Sequence, residues 1–273
     1  DRHGPARGAP SAAAVVTAGA AFPPSIGVVV VGDEILSGKR QDRHLAHAIE
    51  TLSARGLAVD WAHCAGDDAA RLTALFRETF ERGDLVFSFG GIGATPDDRT
   101  RQAVAAALGV PLERHPEAIA EIEARFGADA YPHRVLMAEF PAGARIIPNP
   151  FNRIPAFSVR DHHFMPGFPQ MAWPMMDWVL ATRYPSLVRE PPVERAIAVF
   201  DAGESQLLTL MEANVARFPR VRLFSLPAFL PGGGRRIELG VRGPRAEADA
   251  ALAHLVEGVR ASGFRHEPIP DRG

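Results

Sequence analysis

The six residues Ile26-Gly27-Val28-Val29-Val30-Val31 contain no polar side chain, and this run restricts the possible folds more than any other stretch of the chain. A strand with one wet face alternates apolar and polar residues, whereas a strand that is apolar throughout must be buried on both faces, as in a parallel sheet covered by helices. The text that follows alternates between the two periodicities such a fold needs. Leu45, Ile49 and Leu52 recur at i, i+4 and i+7 and predict a helix that stops at Gly56. Leu57, Val59, Trp61 and His63 alternate as a strand, Leu72, Leu75, Phe76, Thr79 and Phe80 mark a second helix, Leu85 to Phe89 a further strand, and Thr100 to Leu108 another helix. Three βα units in succession predict a three-layer α/β domain with a mostly parallel sheet.

Beyond Arg145 the pattern breaks into two short strands and proline-bearing loops up to Gly167, then an aromatic helix around Trp173 to Leu180. Pro185, Pro191 and Pro192 read as a linker over 185–192, which closes a first domain at 22–184. Residues 193–273 then read strand (Ala196–Phe200), helix (Ser205–Phe218), strand (Val221–Leu226), strand (Arg236–Val241) and helix (Ala246–Ala261), a small α+β domain. About 80 residues bury a marginal core, so this unit is expected to lean on the first domain or on a second subunit. The run Ala12–Phe22 after Arg2 and Arg7 has the outline of a secretory h-region, but its Ala and Gly side chains carry little apolar transfer energy. Residues 1–21 are therefore read as a disordered tail.

Composition excludes several classes of function. Thirty Lys and Arg against 32 Asp and Glu leave a net charge of −2, which disfavours a protein that wraps duplex nucleic acid with a basic face. Cys64 is the only cysteine, so neither an internal disulfide nor a cysteine-only zinc site can form, and a reducing cytoplasm is the simplest compartment. No apolar stretch reaches the roughly 20 residues of a membrane span.

The segment richest in chemistry is Phe87-Ser88-Phe89-Gly90-Gly91-Ile92-Gly93-Ala94-Thr95-Pro96-Asp97-Asp98-Arg99-Thr100, a buried strand running through a glycine loop into a helix. That junction presents backbone N–H groups and a helix amino terminus to an anion, with no Cβ in the way. Thr95, Pro96 and Asp98 read equally well as N-cap, N1 residue and capping-box partner of the helix. Two adjacent carboxylates beside a phosphate repel it unless a cation lies between them, and Mg²⁺ shared with substrate phosphates meets that need. Asp42 and Asp67 each stand at a strand-to-helix connection and so on the same sheet edge, where N-capping is their competing role. The dinucleotide fingerprint fails at Pro96, and Gly32 to Arg40 has the wrong spacing and the wrong last residue for a Walker loop.

Gly32-Asp33-Glu34-Ile35-Leu36-Ser37-Gly38-Lys39, Asp42 and the Gly90–Thr100 segment together resemble the molybdopterin-binding domain family, and most closely the amino-terminal part of the competence/damage-inducible protein A family. The likeness extends over roughly residues 26–180, and Gly203-Glu204-Ser205 resembles a motif of the small domain that follows in those proteins. The resemblance implies a three-layer domain that binds a phosphorylated pterin or nucleotide with Mg²⁺, in homo-oligomers whose relatives adenylylate molybdopterin or cleave ADP-ribose at its pyrophosphate. It implies that Gly90, Gly91, Gly93, Thr95 and Thr100 hold phosphate, with Gly32, Asp33 and Glu34 completing the rim. It further implies catalytic roles for Asp42, Asp67 and Asp98, with Asp42, Asp97 and Asp98 as metal ligands. A non-catalytic pterin- or nucleotide-binding module is the alternative, because two family glycines read here as Asn152 and Ala156 and a family glutamate as Met171. The deamidase domain of many full-length relatives has no counterpart in this sequence, so no deamidase activity is assigned.

Four further features have a simpler role than a site. Asp161-His162-His163 reads as a loop or strand edge, since adjacent histidines on a strand point to opposite faces. Trp173, Met175, Met176 and Trp178 read as packing, Cys64 as a buried inert thiol, and Gly232 to Gly234 as a turn between strands.

Overall fold

The computed structural model describes residues 25–230 and 233–270; the tail expected at 1–21 lies outside them. Elements follow in the order β1 (Ile26–Val31), α1 (Asp33–Leu36), α2 (His44–Ser53), β2 (Trp61–Ala65), α3 (Ala69–Arg82), β3 (Leu85–Phe89), α4 (Thr100–Leu108), β4 (Leu112–Arg114) and α5 (Pro116–Phe126). The first domain continues through β5 (Glu139–Pro141), β6 (Arg145–Ile147), β7 (Ala156–Val159), β8 (His162–Met165) and α6 (Pro169–Arg183). Its sheet has the order β2-β1-β3-β8-β7-β6. The first four strands are mutually parallel, and β7 runs antiparallel to both its neighbours β8 and β6, so the three-layer α/β architecture is observed. β1 is buried along its whole length, as its uniform composition requires.

The second unit comprises β9 (Val193–Phe200), α7 (Glu204–Arg217), β10 (Arg222–Phe229), β11 (Arg235–Gly243), α8 (Arg245–Ala261) and β12 (His266–Ile269). Its order β10-β11-β9-β12 with every pair antiparallel is the ferredoxin-like βαββαβ arrangement. It has its own core, in which Ile197, Val199, Ile237, Leu239 and Val241 of the sheet meet Ala251, Leu255 and Val259 of α8. β12 escapes the periodicity argument because it is four residues long and contains Pro268, which an edge strand tolerates.

Several expectations are corrected. The buried stripe of α2 is His44, Ala48 and Leu52, while Ile49 is exposed; His44 takes an inner position by stacking on Phe89 with ring centroids 4.5 Å apart. β2 begins at Trp61, later than the alternation from Leu57 suggests. It is the edge strand, so Cys64 is exposed rather than buried. Arg145 to Gly167 carries three strands, not two.

The histidine pair is interior, not at an edge. β8 lies between β3 and β7, and both rings are buried on opposite faces. His162 Nε2 lies 2.8 Å from Thr79 Oγ1, whose proton goes to the Phe76 carbonyl, so the ring donates there and its Nδ1 is left buried without a partner. On the other face Tyr184 donates to Asp161 Oδ1 at 2.7 Å; His163 Nε2 therefore donates to Tyr184, and Nδ1 accepts from Ser158. Both rings are neutral, since burial pushes His162 down to about 3 and His163 well below the ordinary histidine value. Between about 3 and 6.5 the unfolded chain therefore binds more protons than the folded one. Stability should rise with pH across that window and be lost as pH falls through it, by up to about 1.4 kcal/mol per pH unit for each histidine. Urea midpoints measured from neutrality into the acid range would show the slope, and His162→Phe should reduce it; an unchanged slope would remove His162 as a cause.

Candidate functional site

Parallel strands end on a common edge, and the carboxyl ends of β1, β2 and β3 bring the two glycine-bearing motifs together there. After β1, Gly32 N donates to Ala65 O at the end of β2. Asp33 N donates to Asp67 Oδ2 at 3.0 Å and Asp67 N to Asp33 Oδ1 at 3.3 Å, so the two loops clasp each other. Burial lifts the Asp67 carboxyl above the ordinary aspartate range, and the charges of Asp33, Glu34 and Asp97 push the same way against the Asp33 N–H bond. The edge thus carries four acidic residues, and the charges of three of them act on Asp67.

The glycine loop after β3 is shaped by the protein's own atoms. At Gly90, with φ of 102°, a Cβ would fall well inside contact distance of the Val31 carbonyl oxygen; at Gly91, with φ of 69°, it would strike the Thr100 hydroxyl. Thr100 is fully buried and donates to the Gly90 carbonyl at 3.1 Å, so it braces the loop from behind and does not face its open side. α4 begins at Thr100, as its periodicity predicts, with Arg99 as N-cap, so the alternative cap at Thr95 is not used. Thr95 and Asp98 do meet, since Asp98 Oδ2 accepts from the Thr95 backbone at 3.1 Å and from its hydroxyl, but they close a turn. Asp97 is exposed, held below the ordinary aspartate range by the nearby Thr95 hydroxyl.

Asp42 stands apart from the Asp97 and Asp98 turn. Its two oxygens accept from His44 N at 2.8 Å and Leu45 N at 3.0 Å, which is the helix-capping role. Among the described residues no three His, Cys, Asp or Glu side chains converge as metal ligands, so Asp42, Asp97 and Asp98 do not form one site. A divalent cation fits this edge only as an ion shared with a ligand, beside Asp33, Asp67 and Asp97, where it would relieve the repulsion felt at Asp67.

Three cationic or titratable side chains not assigned from the sequence, Arg40, Arg43 and His44, help build the concave part of the edge. A pocket of about 220 Å³ is lined by Glu34, Arg40, Asp42, Arg43, His44 and Phe168. The Arg40 guanidinium lies 5.8 Å from the centre of the Phe168 ring and that of Arg43 5.3 Å from Trp173, so both cations rest on aromatic faces. Burial lowers His44 below the ordinary histidine value despite its bond to the Gly167 backbone, and its Nδ1 is buried without a partner. A fourth unassigned residue, Arg101, is buried behind the loop and donates to the carbonyls of Leu136, Glu139 at 3.2 Å and Gly93 at 2.6 Å. The only sequence signal for Arg40 and Arg43 is their position flanking Asp42 within the motif.

The substituted loop is closed internally. Asn149 Nδ2 donates to Asn152 Oδ1 at 2.7 Å and to Ile154 O at 3.0 Å, and Asn152 Nδ2 lies 3.3 Å from Met171 Sδ. Ala156 is fully buried in β7. The added side chains are therefore held by the loop and the core.

A parallel sheet with helices on both faces, a glycine loop at its carboxyl edge and a pocket lined by Arg40 and Arg43 beside that loop define a small-molecule-binding α/β domain. Residues 27–186 match the family described as "Probable molybdopterin binding domain", and the chain belongs to that family. It is 37% identical over 250 residues to a CinA-like protein of Anaeromyxobacter sp. strain Fw109-5, covering 87% of this chain and 60% of that protein. A CinA-like protein of Anaeromyxobacter dehalogenans strain 2CP-C is 36% identical over 186 residues, covering 65% and 45%. The chain thus spans between 45% and 60% of the length of these two relatives. Among solved structures, the protein CinA with unknown function from Thermoplasma acidophilum superposes with a TM-score of 0.54 at 28% identity, over 60% of this chain and 99% of that one. No helix among the described residues is long and apolar enough to cross a membrane.

Proposed function

We propose that this chain binds a phosphorylated pterin or nucleotide at the carboxyl edge of β1 and β3, with its phosphate held by Arg40 and Arg43. The observation that carries this reading is a pocket of about 220 Å³ lined by two guanidiniums, each backed by an aromatic ring, and by Gly167, which lies against Gly90 of the neighbouring glycine loop. Guanidinium forks match phosphate oxygens in geometry as well as charge. The volume suits a phosphate and part of its carrier, and the remainder of the ligand extends over Asp33, Asp67 and the glycine loop.

In this reading Asp33, Asp67 or Asp97 would hold a Mg²⁺ bound together with the ligand, and the ion would supply charge neutralisation at the phosphoanhydride. Asp67 is the residue placed to take a proton from an attacking oxygen, because burial and its acidic neighbours raise its affinity for one. The reaction class is nucleotidyl transfer or cleavage of a pyrophosphate such as that of ADP-ribose. A non-catalytic binding module is the second reading, supported by the engagement of Asp42 and Asp98 in backbone hydrogen bonds.

Titration with molybdopterin, ATP and ADP-ribose, with and without Mg²⁺, tests the site. Arg40→Ala/Arg43→Ala should weaken the preferred ligand by about 10- to 100-fold, the loss of two charge-assisted contacts, while changing stability by no more than about 0.5 kcal/mol, since both side chains are exposed. Unaltered affinity in that variant would refute the pocket. Asp67→Asn then separates the two readings: an enzyme loses turnover, and a binding module retains its affinity with no turnover in either form.

A further inference from the structure

At the other end of β1, where Ile26 begins the strand, the two domains and the 185–192 linker enclose a cleft of about 800 Å³ that no feature of the glycine loop reaches. Four arginines border it: Arg189 on the linker, Arg220 before β10, Arg222 at its start and Arg242 near the end of β11. We propose that this cleft is a second anion site, for a small molecule that carries two or more phosphates on an apolar or planar body.

The strand register carries the inference. Arg222 and Arg242 are directly opposed across the antiparallel β10–β11 pair, so their side chains leave the sheet on the same face with Cβ atoms about 5 Å apart. Like charges in that position destabilise a sheet unless something compensates them. Compensation inside the chain is thin. Arg242 makes no ion pair among the described residues, although Glu194 stands opposite it on β9. Arg222 reaches Asp60 Oδ1 only at 3.9 Å while 81% exposed. Arg220 is paired with Glu247 at 3.1 Å. An anion seated between Arg222 and Arg242 would remove the repulsion.

The shape points to a small ligand. The guanidiniums are carried by three separate segments onto one concave space whose remaining walls include the acidic Asp60 and Glu190 and the apolar Leu57, Pro191, Pro192 and Pro244. Cations on the rim and apolar rings on the walls match a nucleoside di- or triphosphate, with phosphates on the arginine forks and the base against proline and leucine. A bound molecule would touch both domains and the linker together, and so fix their mutual arrangement.

ATP in EDTA, titrated calorimetrically into the full chain at low salt, is the probe. Binding should weaken by about tenfold or more in Arg222→Glu/Arg242→Glu and persist in Arg40→Ala/Arg43→Ala, which keeps this site distinct from the carboxyl-edge one. No binding to the wild-type chain, or binding lost only with Arg40 and Arg43, overturns the proposal. A single-stranded oligonucleotide that binds more tightly than ATP through the same two arginines overturns the small-molecule assignment. As a control on folding, the neutral pair Arg222→Gln/Arg242→Gln should melt no lower than wild type without ATP, because it removes the repulsion. A lower melting point overturns the premise.

Discussion

Gly90→Ala is expected to cost about 3 to 5 kcal/mol of folding stability, among the largest effects of any single methyl group in this chain. Two causes add. A φ of 102° lies where an L side chain is strained, by roughly 1–2 kcal/mol. The new Cβ would also lie against the Val31 carbonyl, which belongs to the backbone of β1 and cannot rotate away. Relief requires β1 and β3 to separate at the edge where the loop forms, so ligand binding at the proposed pocket should fall with stability. Urea unfolding measures the first and titration the second. A variant with wild-type stability would mean that the close approach of Gly90 to Val31 is absent in solution, and with it the loop geometry described above.

Arg101→Met is expected to cost about 3 kcal/mol, by removing the donors to three backbone carbonyls while keeping most of the apolar stem. Gly93 O, Leu136 O and Glu139 O would lose their partner together. Burial lowers the Arg101 pKa, with the charges of Glu139 and Asp98 opposing that shift. Arg101→Lys should recover little, since one ammonium cannot copy a planar fork that reaches three acceptors. Alongside the denaturation midpoint, limited proteolysis should show faster cleavage within residues 93–99 in both variants. Wild-type cleavage there, at reduced stability, would show that Arg101 supports the core without holding the loop.

The histidine slope, the Arg40 and Arg43 titration and the cleft test address features that differ in how far the sequence discloses them. The strand Leu85–Phe89 and the helix Thr100–Leu108 carry their own hydrophobic periodicity, and both are found with the bounds their residues predict. The glycine loop between them is equally legible as a motif. Its reason is not: Gly90 and Gly91 are required by Val31 and Thr100, one of them distant in the chain and close only after β1 and β3 pair. Asp42, Asp67, Asp97 and Asp98 all stand at strand-to-helix connections, but chain position does not say that Asp67 gathers acidic neighbours while Asp42 caps α2.

Local sequence therefore determined the alternation of elements, the doubly buried β1, the glycine loop and the family, because periodicity and short motifs act within a few residues. Tertiary structure alone decided the phase of α2, the interior place of His162 and His163, the bracing by Arg101 and the opposition of Arg222 to Arg242. Each depends on a partner from another element, and the free energy of a buried hydrogen bond or a cross-strand charge pair exists only once the fold brings the two together.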